Sequence, residues 1–292
     1  MSLAWCSISW APARQQAGLE ALADVTSKAG IPPRGSSQSK RRAPQGHAGV
    51  WALLPFKGAA GAKKRLAPAL DPTEREGLVL AMVRDVLDAL VGSRLLAGIV
   101  IVSRAPVAAQ LATEFGVEVF ADSATDLSGA VVEAGEYVAR SRGATGTLFV
   151  PGDVPLVTPA EIDTVLQGHT TVTLVPDAND IGTNAAACSP PNAFEYLFDG
   201  KSFKPHIASA RRAGLEPRVV RLPGFGLDVD TIDELRAVAA RARGTRTGDY
   251  LQRSGIAERV ARRSDYLPLQ SAKRDSGIVS GSGQDAEGSS RL

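Results

Sequence analysis

Two hydrophobic rhythms alternate along the middle of the chain. Val50 to Phe56 is a continuous apolar run, the pattern of a strand buried on both faces. Thr73 to Val91 then repeats apolar residues at helical spacing through Leu78, Met82, Val86 and Leu90. Thr73 with Glu76 has the form of a capping box and predicts the start of that helix. The same reading predicts a strand over 98–102, a helix over 105–115, a strand over 117–121 and a helix over 128–141. A strand over 147–150, a helix from near Thr158 and a strand over 171–175 follow. A second capping box, Thr231 to Glu234, opens a helix that ends near Arg243. Such alternation predicts an α/β fold, a mostly parallel sheet with helices on both faces. Ligands on such sheets bind beyond the carboxyl ends of the strands.

The flanks lack this order. Residues 1–47 carry Gly, Pro, Ser, Arg and Lys without period, as in Pro32-Pro33-Arg34-Gly35-Ser36-Ser37. Such a segment buries too little apolar surface to offset its ordering entropy. It is expected to be a disordered extension, or the product of an early start codon. Residues 263–292 read as a flexible tail, which leaves 48–262 as the folded domain.

Composition narrows the function classes. The net charge of +2 is too balanced to argue for a nucleic-acid partner. No run approaches the ~20 apolar residues that span a bilayer, so no membrane partner is expected. Cys6 and Cys188 make no C-x-x-C pair, and the N-terminus lacks a signal-peptide pattern; both fit a reducing cytoplasm. There is no G-x-G-x-x-G fingerprint and no G-x-S-x-G elbow. Gly200-Lys201-Ser202 imitates the end of a Walker A loop, but Glu195 stands where its first glycine belongs. Three histidines are too few for a His-rich metal site.

Five segments carry candidate chemistry. Leu54 to Leu66 follows the first strand with small residues and Lys57, Lys63, Lys64 and Arg65. It suits a triphosphate, or is simply a solvated basic loop. In Phe149-Val150-Pro151-Gly152-Asp153-Val154-Pro155-Leu156 a carboxylate is presented at a strand tip, where it could hold Mg²⁺ or cap a turn. In Leu227-Asp228-Val229-Asp230-Thr231 an extended backbone would point both acids to one side, where they repel unless a cation or proton lies between them. Asp230 could instead only cap the next helix. Asp180 to Ala186 offers a bend at Gly182 with Thr183 and Asn184 as short polar groups, or an ordinary turn. In Phe198 to His206, Ser202 has the place of a helix N-cap, with Lys201 and Lys204 near it and Pro205 in the first turn. That helix start suits a carboxylate or phosphate, or is a routine cap with His206 packed inside.

Together these segments resemble the guanylyltransferases that make the phosphodiester precursor of the deazaflavin coenzyme F-420, using phospholactate, phosphoenolpyruvate or 3-phosphoglycerate. The resemblance rests on Pro55-Phe56-Lys57, Ala62-Lys63-Lys64-Arg65-Leu66, Pro151 to Leu156, Gly182-Thr183-Asn184-Ala185, Phe198 to His206 and Leu227 to Thr231, in that order. It covers roughly residues 49–245. Two positions depart from the family pattern: Ser128 replaces an asparagine, and Asp199 replaces a glycine.

The resemblance implies a single nucleotidyltransferase domain, GT-A-like and Rossmann-like. Its partners would be GTP and a small phospho-acid, and a homodimer is compatible with it. Asp153, Asp228 and Asp230 would hold Mg²⁺ and serve as the catalytic acids. Lys57, Lys63 and Arg65 would bind the nucleotide phosphates. Thr183, Asn184, Asp199 and Ser202 would bind the acceptor. Asp199 could accept from a free hydroxyl and Ser128 leaves room, so 3-phosphoglycerate is the first acceptor expected, ahead of phosphoenolpyruvate and 2-phospholactate. The other readings are a sugar-phosphate or molybdopterin-type nucleotidyltransferase, which usually has a Gly-rich Gly-x-Gly-(Ser/Thr)-Arg loop this chain lacks, and a non-catalytic nucleotide-binding regulator.

Overall fold

The computed structural model describes residues 48–262. The disorder expected for 1–47 and 263–292 concerns segments outside the described residues. Seven strands form one sheet: β1 Val50–Pro55, β2 Leu96–Val102, β3 Glu118–Phe120, β4 Gly146–Phe149, β5 Val172–Pro176, β6 Thr183–Cys188 and β7 Arg218–Val219. Their order across the sheet is β3-β2-β1-β4-β6-β5-β7. β1 runs parallel to β2 and β4, and β2 parallel to β3. β6 is antiparallel to both its neighbours, and β7 is parallel to β5. The helices are α1 Pro72–Gly92, α2 Val107–Phe115, α3 Leu127–Arg142, α4 Pro159–Leu166, α5 Phe203–Arg212, α6 Ile232–Arg241, α7 Arg246–Arg253 and α8 Ile256–Arg262.

The continuous apolar run of β1 serves two cores. Successive side chains of a strand point to opposite faces. Ala52 and Leu54 enter the core beneath α1 and the C-terminal helices, while Trp51 and Leu53 enter the core beneath α3 and α5. The predicted mixed sheet, mostly parallel and covered on both faces, is therefore what forms. Asp85 of α1 fastens the helical layer. Its buried carboxylate accepts from the backbone N–H groups of Arg246 and Thr247 at 2.7 and 2.8 Å, at the start of α7.

Local expectations fail at three places. The helix expected to open at a Thr73–Glu76 box opens two residues earlier, where Asp71 and Glu74 form the box and Pro72 takes the first helical position. Proline there loses no helical hydrogen bond, so the cap falls on the residue before it. Thr183 to Cys188, expected as part of a bend, is β6, the antiparallel strand buried between β4 and β5. Its alanines give no β-branched signal. Ser202, expected to cap a helix, has helical backbone angles and makes no cap bond with its side chain. Its Oγ instead accepts from the Thr183 N–H at 3.1 Å, which pins the start of β6 to the start of α5.

His206 completes that joint. Its Nε2 accepts from the Leu197 N–H at 2.8 Å, so its Nδ1 carries the proton and donates to Thr183 Oγ1 at 3.0 Å. The ring is fully buried and stacks edge-on against Phe198 at 4.7 Å between centroids. Burial, against a small opposing pull from Asp199, lowers its pKa from 6.5 to about 4. The unfolded chain therefore binds a proton that the folded chain refuses between those values, and stability falls as pH drops through that window. We expect acidification from pH 7 to pH 4 to remove up to about 3 kcal/mol through this residue. Urea titrations of His206→Gln across the same range should lack that component; an identical pH slope in the variant would assign it elsewhere.

Candidate active site

The parallel strands β1, β2 and β4 end along one edge, and a cleft of about 580 Å³ lies over it. Its lining runs from Lys63, Gly152 and Asp153 at one end to Arg104, Asp122 and Leu127 at the other. This is where an open α/β sheet places a ligand, because loops leaving adjacent strands part on opposite faces. β6 adds to the same edge in the other direction. Being antiparallel, it begins where its neighbour β4 ends, which brings Thr183 and Asn184 to the carboxyl edge.

Three segments meet there. β4 stops at Phe149, and Pro151-Gly152 turns the chain to set Asp153 at the cleft. The Asp153 carbonyl accepts from the Val229 N–H at 3.1 Å. One backbone bond thus joins the Asp153 turn to the extended segment carrying Asp228 and Asp230. The third segment is the loop after β1. Lys63 sits there with φ 51° and ψ 46°, a left-handed conformation that costs a side-chain-bearing residue about 1 kcal/mol or more. Leu66 anchors the loop in the core.

Lys63 spends that strain on a bridge. Its Nζ lies 2.6 Å from Asp153 Oδ2 and 2.8 Å from Asp230 Oδ1, and its side chain is only 12% exposed. Burial works to lower its pKa, but the Asp153 and Asp230 carboxylates outweigh burial and hold it above the ordinary lysine value. Asp228 stands beside the pair. Its Oδ1 accepts from Asn184 Nδ2 at 3.1 Å. Burial first, and the Asp153 charge as well, raise its carboxyl above the usual range, against the pull of that Asn184 bond. Asn184 Nδ2 also donates to the Phe225 carbonyl at 2.8 Å.

The other expected residues divide by position. Lys57 lines the main cleft. Lys64 and Arg65 line an adjoining hollow of about 320 Å³ that shares Lys63 and Asp230 with it. Lys63, expected on the nucleotide phosphates, is engaged with the aspartates instead. Thr183 and Ser202, expected on the acceptor, are buried and bonded to each other. Asp199 is exposed and closes a local turn by accepting from the Lys201 N–H. Ser128, expected to leave room, uses its Oγ to accept from the Phe198 N–H at 3.0 Å. Sequence reasoning missed the far end of the cleft, including Ser103, Arg104 and Asp122. The available signal was the one that found Asp153: polar residues within a few positions of a strand's carboxyl end.

No group of three or more acidic, histidine or cysteine side chains stands ready to hold a metal among the described residues. The Lys63 ammonium lies between two of the three aspartates. The donor set itself fits a divalent ion, because it is all carboxylate oxygen and two of its members already share one cation.

A sheet of this order with charged strand ends at such a cleft is an α/β fold of the kind seen in nucleotidyltransferases. Solved structures agree in fold. A chain from Desulfovibrio desulfuricans G20, described as a nucleotide-diphospho-sugar transferase, superposes with TM-score 0.60 at 19% identity, over 73% of this chain and 99% of that one. A nucleotidyl transferase from Methanothermobacter gives 0.53 at 17%, over 71% and 100%. Residues 50–270 match the family model "Guanylyl transferase CofC like", and the chain belongs to that family. Among curated relatives, the phosphoenolpyruvate guanylyltransferase of Sphaerobacter thermophilus is 36% identical over 193 residues, 65% of this chain and 93% of that protein. The 2-phospho-L-lactate guanylyltransferase of Methanothermobacter thermautotrophicus is 31% identical over 221 residues, 75% and 96%. The family drawn from the sequence motifs is the family the chain belongs to, and the protein is an enzyme of the nucleotidyltransferase class.

Replacing Lys63 with an apolar residue of similar length tests the bridge. Lys63→Met leaves two partly buried carboxylates facing one another, and without divalent ions we expect a loss of about 1–2 kcal/mol. Urea unfolding in EDTA measures it; an unchanged midpoint would show that the acids need no such counterion.

Proposed function

We propose that this protein transfers GMP from GTP to the phosphate of a small phosphorylated carboxylic acid and releases pyrophosphate, as a step in coenzyme F-420 synthesis. One observation carries the reading: Asp153 and Asp230, from distant stretches of chain, share a single cation at the edge where a nucleotide would lie. Family membership and the relatives' names support it.

Asp153, Asp228 and Asp230 would hold Mg²⁺, which neutralises the repulsion between two anionic reactants when bound. The chain's own part is positioning and charge. Lys57 and Arg65 flank the acids and would draw the β- and γ-phosphates, joined by Lys63 once it leaves the carboxylates. The acceptor phosphate oxygen would attack the α-phosphorus in line, so no covalent enzyme intermediate is needed. Asn184 ties Asp228 to the Thr183–Ser202 joint, so the start of α5, with exposed Lys201 and Lys204, would face the acceptor's carboxylate.

Phosphoenolpyruvate is the acceptor favoured here. The case for 3-phosphoglycerate rested on Asp199 and Ser128, and both side chains are occupied with backbone N–H groups. Several relatives are named phosphoenolpyruvate guanylyltransferases, and one is named for 2-phospho-L-lactate.

Pyrophosphate release with GTP, Mg²⁺ and each of the three phospho-acids tests the reading directly. We expect turnover with phosphoenolpyruvate to exceed the other two; no pyrophosphate with any acid would favour a non-catalytic nucleotide binder. In the same assay Asp228→Asn should lower kcat by at least about 100-fold with the thermal midpoint retained. Near-normal kcat in that variant would reject the role given to the acids.

A further inference from the structure

The far end of the cleft holds an acid that the fold does not use. Asp122 lies two residues past the end of β3 and lines the cleft with Ala105, Ala124 and Leu127. It is half-buried, and among the described residues it makes no hydrogen bond and no ion pair. Its neighbours are all committed. Ser123 donates from its N–H and its hydroxyl to the Glu133 carboxylate, at 2.7 and 2.8 Å. Arg104 donates to the Ala124 carbonyl at 3.2 Å. Asp126 caps α3 by accepting from the Gly129 N–H at 2.8 Å. The loop is thus fastened from three sides, and the one unpaired charge it carries is set at the cleft.

A fixed, unpaired carboxylate beside apolar walls is a poor arrangement for stability alone, since partial burial of a charge without a partner is unfavourable. It is a good receptor for a flat group that offers two adjacent N–H donors. Guanine offers them at N1–H and the 2-amino group; adenine offers an acceptor at N1 and no amine at C2. Position agrees as well. β3 lies two strands from β1 and three from β4, so Asp122 is displaced about 10–14 Å along the edge from the strands that present Lys57 and Asp153. A nucleotide with its α-phosphate at the acids would lay its base toward β3.

We propose that Asp122 selects the base, its two carboxylate oxygens accepting from N1–H and the 2-amino group of guanine. This assignment rests on GTP being the donor. It makes Asp122 a specificity-determining residue in contact with substrate, with Arg104 and Glu133 holding its loop in place.

The test exploits the difference between guanine and xanthine at C2, an amine against a carbonyl, beside an N1–H that both share. An asparagine can accept from N1–H and donate to that carbonyl, but cannot accept two donors. Pyrophosphate release would be measured for GTP, ITP, XTP and ATP. For the unaltered enzyme, ITP, which lacks the amine, should fall about tenfold below GTP in kcat/KM. Asp122→Asn should lower kcat/KM for GTP by about 100-fold or more and turn over XTP better than GTP. Asp122→Ala should lose GTP without gaining XTP, and both variants should melt at or above the parent because the side chain has no partner to lose and its charge is partly buried. A GTP-to-XTP ratio unchanged in Asp122→Asn overturns the assignment while leaving guanylyl transfer intact. Loss of GTP in that variant with no gain of XTP also overturns it. Failure of the unaltered enzyme to use GTP overturns the function itself, and this assignment with it.

Discussion

Two carboxylates brought face to face at the edge of a sheet need a cation between them, and much of this structure answers that need. Asp153 arrives at the end of β4 and Asp230 at the start of α6, far apart in sequence. Their mutual repulsion would push the segments apart. Lys63 prevents this from a left-handed backbone position that has no other evident benefit.

Strand direction supplies the rest of the constellation. In an all-parallel sheet, only residues that follow a strand reach the carboxyl edge. β6 runs the other way, so residues that open a strand arrive there too. Thr183 and Asn184 are therefore delivered to the acids by the start of β6, and Asn184 reaches Asp228 directly. The aromatic packing of Phe198, Tyr196 and Phe194 around His206 stiffens this side. The resulting site has one wall of basic residues and one of short polar ones.

The outline of the fold was legible because its β-branched strands and periodic helices carry strong local signals, as at Val50–Pro55 and Thr158–Leu166. What escaped was structure made by tertiary context. β6 reads as a turn because Ala185, Ala186 and Ala187 express no strand preference of their own, yet the strand is paired on both edges by β4 and β5 and buried along its length. The last two helices, α7 and α8, have short, heavily polar sequences, and α7 gains its stability from Asp85 far upstream. At the site, residue types were readable and pairings were not. Three aspartates and a lysine could be picked out, but that Lys63 would lie between Asp153 and Asp230 depends on chain separations of 90 and 167 residues.

The Glu234 carboxylate accepts at 2.7 Å from both Asp230 and Thr231. The first turn of α6 is thereby riveted to the acid-bearing segment, and α6 packs in turn with α7 and α8. The spacing of the aspartates is therefore tied, through one carboxylate, to how the C-terminal helices pack at the protein's back.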